Sequence, residues 1–156
     1  MRAADTEVRR EEITGVVAAR LILALNAELT ARYPEEGANH FRLDPGEVTE
    51  GRGAFLVAYV KGEPVGCGAI RRLDADAAEI KRMYVEPSAR GQGMGRVLLG
   101  ALVAQGRGLG VKRLVLETGE RQSEALALYS GAGFRRIPAF GEYVGSPLSV
   151  CMAKEL

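Results

Sequence analysis

A glycine-rich turn between a strand-like run and a helical segment is the part of the sequence best suited to chemistry. Residues 90–95 read Arg-Gly-Gln-Gly-Met-Gly. Glycines let the backbone approach a ligand closely, because no Cβ stands in the way. The N–H groups of such a turn and of the helix that follows converge on an anion, usually a phosphate. Arg90 adds a cation, so the stretch predicts a phosphate-binding loop.

Two common phosphate-binding loops do not match this turn. A Walker A loop ends in Gly-Lys-Ser/Thr, whereas this turn ends Gly95-Arg96-Val97. The dinucleotide fingerprint requires G-x-G-x-x-G, and the spacing of Gly91, Gly93 and Gly95 differs from it. A simple helix start would be capped better by Ser or Asp than by glycines at alternate positions. The turn therefore predicts a phosphate site of another kind.

Two blocks of sequence resemble one known family. Arg90-x-x-Gly93-x-Gly95, after a strand that ends Met83-Tyr84-Val85-x-Pro87, resembles the acetyl-CoA loop of the GNAT superfamily of N-acetyltransferases. Residues 129–134, Tyr-Ser-Gly-Ala-Gly-Phe, resemble the family's second block, Y-x-x-x-G-F. The blocks occur in the family's order and at its usual separation, and the resemblance extends from about Gly53 to the C-terminus. It implies an acyltransferase that moves an acetyl group from acetyl-CoA directly to a primary amine of a small molecule or peptide.

The resemblance also implies how acetyl-CoA is held. The diphosphate would lie on the N–H groups of the glycine turn. The strand that ends near Val85 would splay from its neighbour at residues 113–117, which frees main-chain groups to pair with pantetheine and to stabilise an oxyanion. The predicted cofactor-binding residues are Met83, Val85, Arg90, Gly91, Gln92, Gly93, Met94, Gly95 and Arg96.

Two side chains match the family's catalytic positions. Tyr129 lies at the position of the general acid, and phenol and thiol pKa values (roughly 10 and 8.5) are close enough for proton exchange. Glu79 lies at the position of the base in the histone-acetyltransferase branch, and could take a proton from the bound ammonium. Glu117, at the end of the neighbouring strand, and a water chain are the alternatives. Cys67 and Cys151 have no neighbouring histidine, which argues against a thiol nucleophile.

A second function from a different class stays open. The same loop would suit a non-catalytic acyl-CoA-binding module that senses the cofactor or regulates a partner. The presence of Tyr129 and Glu79 favours the enzyme. Binding of acetyl-CoA without turnover would favour the module.

The acceptor cannot be named from the sequence, although its surroundings can be placed. In the family, the helical region after the first strand and the closing hairpin border the acceptor. The candidate side chains in these two regions are Glu35, His40, Phe41, Arg42, Tyr143 and Ser146. Arg72 and Arg82 are two further cations near the cleft. We expect His40 to be a solvated loop residue and Arg72 a solvated surface residue.

Hydrophobic periodicity predicts the elements that position these residues. Helices are expected at residues 13–33, after the glycine turn to about residue 106, and at 123–132, with a short helix start at 44–47. Strands are expected at residues 6–10, 54–60, 64–73, 77–85 and 113–117, followed by a closing hairpin of 134–143 and 148–154. This order predicts one α/β domain over residues 1–156, with a mixed, mostly antiparallel sheet of roughly six or seven strands and helices on both faces.

Composition excludes several classes of protein. The formal net charge of +1 over 156 residues argues against nucleic-acid binding, because proteins that bind nucleic acids usually carry a strongly basic face. No apolar run is long enough to span a bilayer, and the polar start predicts no secretory leader and a cytoplasmic location. One histidine and two distant cysteines predict no metal site. An exposed edge strand would permit a homodimer.

Overall fold

The computed structural model describes residues 5–156, which form one mixed sheet packed between helices. The strands are β1 Thr6–Arg10, β2 Gly53–Val60, β3 Glu63–Arg72, β4 Ala77–Val85, β5 Arg113–Gly119, β6 Arg135–Ile137 and β7 Ser149–Glu155. The helices are α1 Val16–Arg32, α2 Met94–Gly108 and α3 Ser123–Gly131. Short 3-10 turns lie at Pro45–Val48, Pro87–Ala89 and Gly141–Tyr143. The strand order β1-β2-β3-β4-β5-β7-β6 confirms the predicted fold class.

The sheet is covered on both faces because its central strands are apolar at successive positions. In β2, Phe55 and Val57 pack against α1, whereas Ala54 and Leu56 belong to the core under α2. Side chains of a strand alternate between faces, so a continuous apolar run supplies both cores. Two layers of helix therefore hold the central strands rigidly behind the cleft described below.

The central strands separate halfway along their length. β4 and β5 are parallel and pair only over residues 77–80 and 113–116. β5 continues to Gly119 against β7, whereas residues 81–85 of β4 pair only with β3. The separation begins after Ile80, and two residues further on Arg82 has a φ of 59° in the left-handed region, opposite a register shift in β3. This confirms the predicted splay, which leaves one edge of β4 free for main-chain contacts.

Two predicted elements differ from the structure by more than the one or two residues seen at other element ends. α1 begins at Val16 rather than at residue 13. The strand predicted at residues 134–143 is wrong beyond Ile137, where β6 ends. Pro138 follows and has no N–H for the ladder, so the chain leaves the sheet there. The irregular segment then folds back and buries Tyr143 against β4.

All seven strands belong to the same sheet, and a single domain over residues 1–156 stays a prediction. No helix within residues 5–156 is long and apolar enough to cross a membrane.

Candidate active site

The gap between β4 and β5 opens into two adjoining chambers. The outer cleft, with a volume of about 480 Å³, borders the glycine turn, α3 and residues 83–85. The inner cavity, of about 110 Å³, lies deeper, beside β5 and the segment around residue 40. Tyr129 and Met83 line both chambers. A group reaching in along the outer cleft would therefore meet the inner cavity at Tyr129.

The glycine turn owes its shape to two different properties of glycine. Gly91 and Gly93 have φ angles of 76° and 85°, and a Cβ on either would meet no atom within 4 Å. These positions require glycine for the backbone angle rather than for space. At Gly95 a Cβ would lie 3.1 Å from Leu128 Cδ2, so this glycine brings α2 close to α3. The sequence predicts close approach of a ligand at all three glycines, whereas Gly95 serves the packing of two helices.

α2 begins without a capping side chain. Gly93 occupies the N-cap position, and Met94 is the first helical residue. The first N–H groups of a helix have no partner inside it. Because Gly93, Met94, Gly95 and Arg96 line the outer cleft, these N–H groups are available to an anion there. The turn thus fits the diphosphate of coenzyme A.

Replacing Gly93 by alanine is expected to raise the KM for acetyl-CoA about tenfold while changing kcat little. A residue with a Cβ costs roughly 1–2 kcal/mol in the left-handed region, so the turn would shift away from its binding shape. Steady-state kinetics with varied acetyl-CoA would measure the effect. Gly100→Ala, on the same helix with open space around it, is the matched control. Equal KM values for the two variants would contradict a role for the turn.

Arg90 lines the outer cleft but is held by protein groups. Its Nε donates to the Val85 carbonyl at 2.8 Å, and its Nη2 pairs with Glu28 Oε1 at 2.6 Å. The guanidinium therefore ties the turn to β4 and α1, besides its predicted role as a cation at the mouth. Gln92 is exposed and lies outside the lining of the outer cleft.

Tyr129 is buried on α3, and its ring packs edge-to-face on Phe134, with centroids 5.9 Å apart. Burial, with a smaller contribution from the charge of Glu117, raises the pKa of the Tyr129 hydroxyl far above its ordinary value. The raised pKa keeps the hydroxyl protonated near neutral pH, and it widens the gap to the thiol pKa of roughly 8.5 beyond that expected from the sequence. At the junction of the chambers the hydroxyl is placed to donate a proton.

Glu79 is fully buried and lies outside the lining of both chambers. Its Oε1 is 2.8 Å from Arg71 Nη2, and its Oε2 accepts a hydrogen bond from the Tyr143 hydroxyl at 2.6 Å. Arg71 also pairs with Glu47 of the 3-10 turn before β2. Both carboxylate oxygens are thus engaged, which is a poor arrangement for a base that must reach a substrate.

Glu79→Gln is expected to lower the free energy of unfolding by about 2 kcal/mol, because Arg71 loses one charge-assisted partner and keeps only Glu47 as an acidic one. The dependence of kcat on pH should stay unchanged in the folded variant. Urea unfolding and a pH–rate profile would measure the two quantities. Loss of the acidic limb of that profile would instead assign the base to Glu79.

Glu117 lies at the inner cavity, which it lines. Ser149 Oγ donates to its Oε2 at 2.6 Å. Burial raises the pKa of the Glu117 carboxyl, more than the Ser149 hydrogen bond lowers it. A carboxylate with a raised pKa that borders a cavity is suited to accept a proton.

A chain of polar groups leads from Glu117 toward solvent. Ser149 Oγ is 2.9 Å from Ser146 Oγ, and Ser146 Oγ is 3.2 Å from His40 Nε2. His40 Nδ1 is 3.3 Å from Glu142 Oε1, and the Glu142 side chain is 40% exposed. Successive hydrogen bonds of this kind can conduct a proton from the cavity to the surface.

His40 is not the solvated loop residue that the sequence suggested. Its side chain is only 16% exposed, and its ring packs edge-to-face on Tyr143. The segments that contain the two residues are far apart in sequence, so no local pattern could place one against the other. Together they close the inner cavity, which both line.

The other substrate-side candidates divide between the cavity and the surface. Phe41 and Arg82 line the inner cavity, whereas Glu35 and Arg42 lie outside both chambers and form exposed ion pairs. Arg72 is also remote, and it donates to the carbonyl of Leu109 at 2.6 Å.

The cysteines are poorly suited to nucleophilic chemistry. Burial raises the pKa of the Cys67 thiol to about 12, and it also raises the pKa of Cys151. A protonated thiol is a weak nucleophile. Among residues 5–156, no group of three or more His, Cys, Asp or Glu side chains is arranged to hold a metal ion.

Comparison with known proteins identifies the class. Residues 19–134 match the acetyltransferase (GNAT) family. The chain is 40% identical over 154 residues to the IAA acetyltransferase of Azospirillum brasilense, covering 97% of this chain and 99% of that one. It therefore belongs to the acetyltransferase (GNAT) family and is an acyltransferase, with acetyl-CoA as the family's acyl donor.

Solved structures agree. A Klebsiella pneumoniae protein described as an acyl-CoA N-acyltransferase superimposes with a TM-score of 0.82 at 35% identity, covering 98% of this chain and 99% of that one. A GNAT acetyltransferase from Elizabethkingia anophelis, solved with acetyl-CoA bound, shares the fold with a TM-score of 0.69 at 20% identity, over 97% and 99% of the two chains.

Proposed function

We propose that this protein transfers an acetyl group from acetyl-CoA to a primary amine of a small molecule or peptide, by direct attack within a ternary complex. The observation that carries the proposal is the position of Tyr129, which lines both the outer cleft and the inner cavity. A donor held in the first chamber and an amine held in the second would meet at its hydroxyl.

The donor would be held mainly by backbone groups. The N–H groups of the glycine turn and of the first turn of α2 would bind the diphosphate. The free edge of β4, with Met83 and Val85 in the wall of the outer cleft, would pair with the pantetheine chain and supply an N–H to the developing oxyanion. The Val85 carbonyl already accepts a hydrogen bond from Arg90, so the backbone N–H of Val85 is the group that would bind the oxyanion.

Glu117 is our choice for the base, in preference to Glu79. Glu117 borders the cavity, whereas both oxygens of Glu79 bind Arg71 and Tyr143. A lysine-like ammonium has a pKa of about 10.4, so it must lose a proton before it can attack. Glu117 would take that proton and pass it along Ser149, Ser146 and His40.

Tyr129 would complete the transfer. As the amine nitrogen bonds to the acetyl carbon, the bond from that carbon to sulfur breaks. Tyr129 donates its proton to the departing thiolate, and the nitrogen, which after the attack carries one proton too many for an amide, returns a proton to Tyr129. The first proton of the ammonium leaves through Glu117, so both protons that the nitrogen loses have an acceptor.

The deciding experiment is thiol release from acetyl-CoA across amino acids, polyamines, aminoglycosides and peptides. The name of the Azospirillum relative adds IAA to this panel. Release that depends on one amine class would support the proposal and identify the acceptor. Calorimetric binding of acetyl-CoA with no release from any acceptor would instead support the alternative, a non-catalytic acyl-CoA sensor.

A cytoplasmic location and a homodimer stay predictions from the sequence.

A further inference from the structure

We infer that the inner cavity binds the carboxylate of an acceptor that carries both an amine and a carboxylate, with Lys81 as the group that recognises the carboxylate. The acceptor class is then a small amino acid. This inference rests on the proposed transfer to an amine and names the substrate of that same site.

The first observation is the state of the Lys81 side chain. Lys81 is only 6% exposed, and its Nζ is the one buried side-chain nitrogen or oxygen in residues 5–156 that lacks a hydrogen-bond partner. It lies 5.9 Å from the ring centroid of Tyr143, and both residues line the inner cavity. A buried ammonium without a partner is costly, so a ligand anion at this place would be strongly favoured.

The second observation is the charge around the cavity. Arg82 also lines it and is 8% exposed; its guanidinium donates to Asn26 and lies over the ring of Phe41. Within the described part of the chain, neither Lys81 nor Arg82 forms an ion pair with a carboxylate. Two buried cations that lie beyond ion-pair distance of any carboxylate in residues 5–156 make this wall attractive to an anion, although the charge of Lys81 also acts on Glu117 across the cavity.

The third observation is that the opposite charge lies in the same small space. Glu117 lines the cavity together with Lys81 and is suited to an ammonium. The cavity is small, with a volume of about 110 Å³, so the two recognised groups of the ligand must be close together. An α-amino acid carries an ammonium and a carboxylate at such a separation. Its amine would face Glu117 and its carboxylate Lys81.

The test compares acceptors that differ only at the anionic group, L-alanine and L-alaninamide, by thiol release from acetyl-CoA. The amide's amine is the less basic, so a preference for alanine cannot arise from easier deprotonation. Wild-type protein is expected to prefer alanine. Lys81→Met should lower kcat/KM for alanine about 100-fold, mainly through KM, and should leave the rate with alaninamide unchanged.

Matched variants separate recognition from folding. Lys112→Met removes an exposed lysine and should keep the preference for alanine. Lys81→Gln keeps a hydrogen-bond donor without the charge, and serves if the methionine variant does not fold. A preference for alanine that survives both Lys81 variants would overturn the inference, as would better turnover of simple amines by the wild type. A preference for 1-aminoethylphosphonate over alanine would overturn the assignment to a carboxylate.

Failure of the proposed function gives a different result. If no acceptor releases thiol, alanine is titrated calorimetrically into the protein in the presence of coenzyme A. Binding to the wild type that is lost in Lys81→Met would support the amino-acid site although the transfer is refuted. Absence of binding to the wild type would overturn both proposals.

Discussion

Tyr129→Phe is expected to lower kcat about 100-fold while leaving the KM for acetyl-CoA nearly unchanged. The ring would still pack on Phe134, so the change removes only the hydroxyl at the junction of the chambers. A positioned general acid contributes roughly 10²–10⁴-fold to a proton-transfer step. Steady-state kinetics with a saturating amine would measure the loss.

Tyr59→Phe is the control for this prediction. Tyr59 is similarly buried, but its hydroxyl donates to Glu11 and it lies outside both chambers. Removing the Tyr59 hydroxyl should leave kcat close to that of the wild type. An unchanged kcat in Tyr129→Phe would show that Tyr129 has no role in the proton transfer. Solvent would then be the proton donor to the thiolate.

Glu117→Gln is expected to lower kcat about 100-fold at neutral pH and to abolish the acidic limb of the pH–rate profile. The base works only when ionised, and burial raises the pKa of Glu117 above its ordinary value. Wild-type activity should therefore fall as the pH is lowered through that raised pKa. In the glutamine variant no carboxylate titrates there, so the slow residual rate should be flat.

Exposed Glu155 provides the control, since Glu155→Gln removes a carboxylate far from the cavity. Its profile should match that of the wild type. If Glu117→Gln retained both its rate and its acidic limb, a water chain would be the remaining candidate for the base.

The residues that line the outer cleft could be proposed from sequence because they are nearly continuous in the chain. The end of β4, the glycine turn and the start of α2 follow one another, and local spacing carries their chemistry. The structure places the predicted turn residues in the lining of the outer cleft, except for Gln92, and their role in binding the cofactor stays a prediction. The fold class and the splay of β4 from β5 were likewise confirmed.

The inner cavity was harder to predict from sequence because it is assembled from segments that are far apart in the chain. His40, Lys81, Glu117 and Tyr143 come from four parts of the chain, and no spacing relates them. Glu79 illustrates the problem: its position matched the family's base, but tertiary contacts bind both of its oxygens. No sequence pattern singles out Lys81, since burial without a hydrogen-bond partner is invisible in sequence.

The line of contacts from Glu47 through Arg71 and Glu79 to Tyr143 has a consequence for substrate selection. It fixes one wall of the inner cavity to the rigid sheet before any acceptor arrives. A preformed wall needs little ordering when a ligand binds, so less conformational entropy is lost. It also cannot reshape itself around a bulkier acceptor. We therefore expect the enzyme to select its acceptor by shape. Variants that break the contacts between Glu47, Arg71, Glu79 and Tyr143 should accept a broader range of acceptors than variants that only enlarge the cavity.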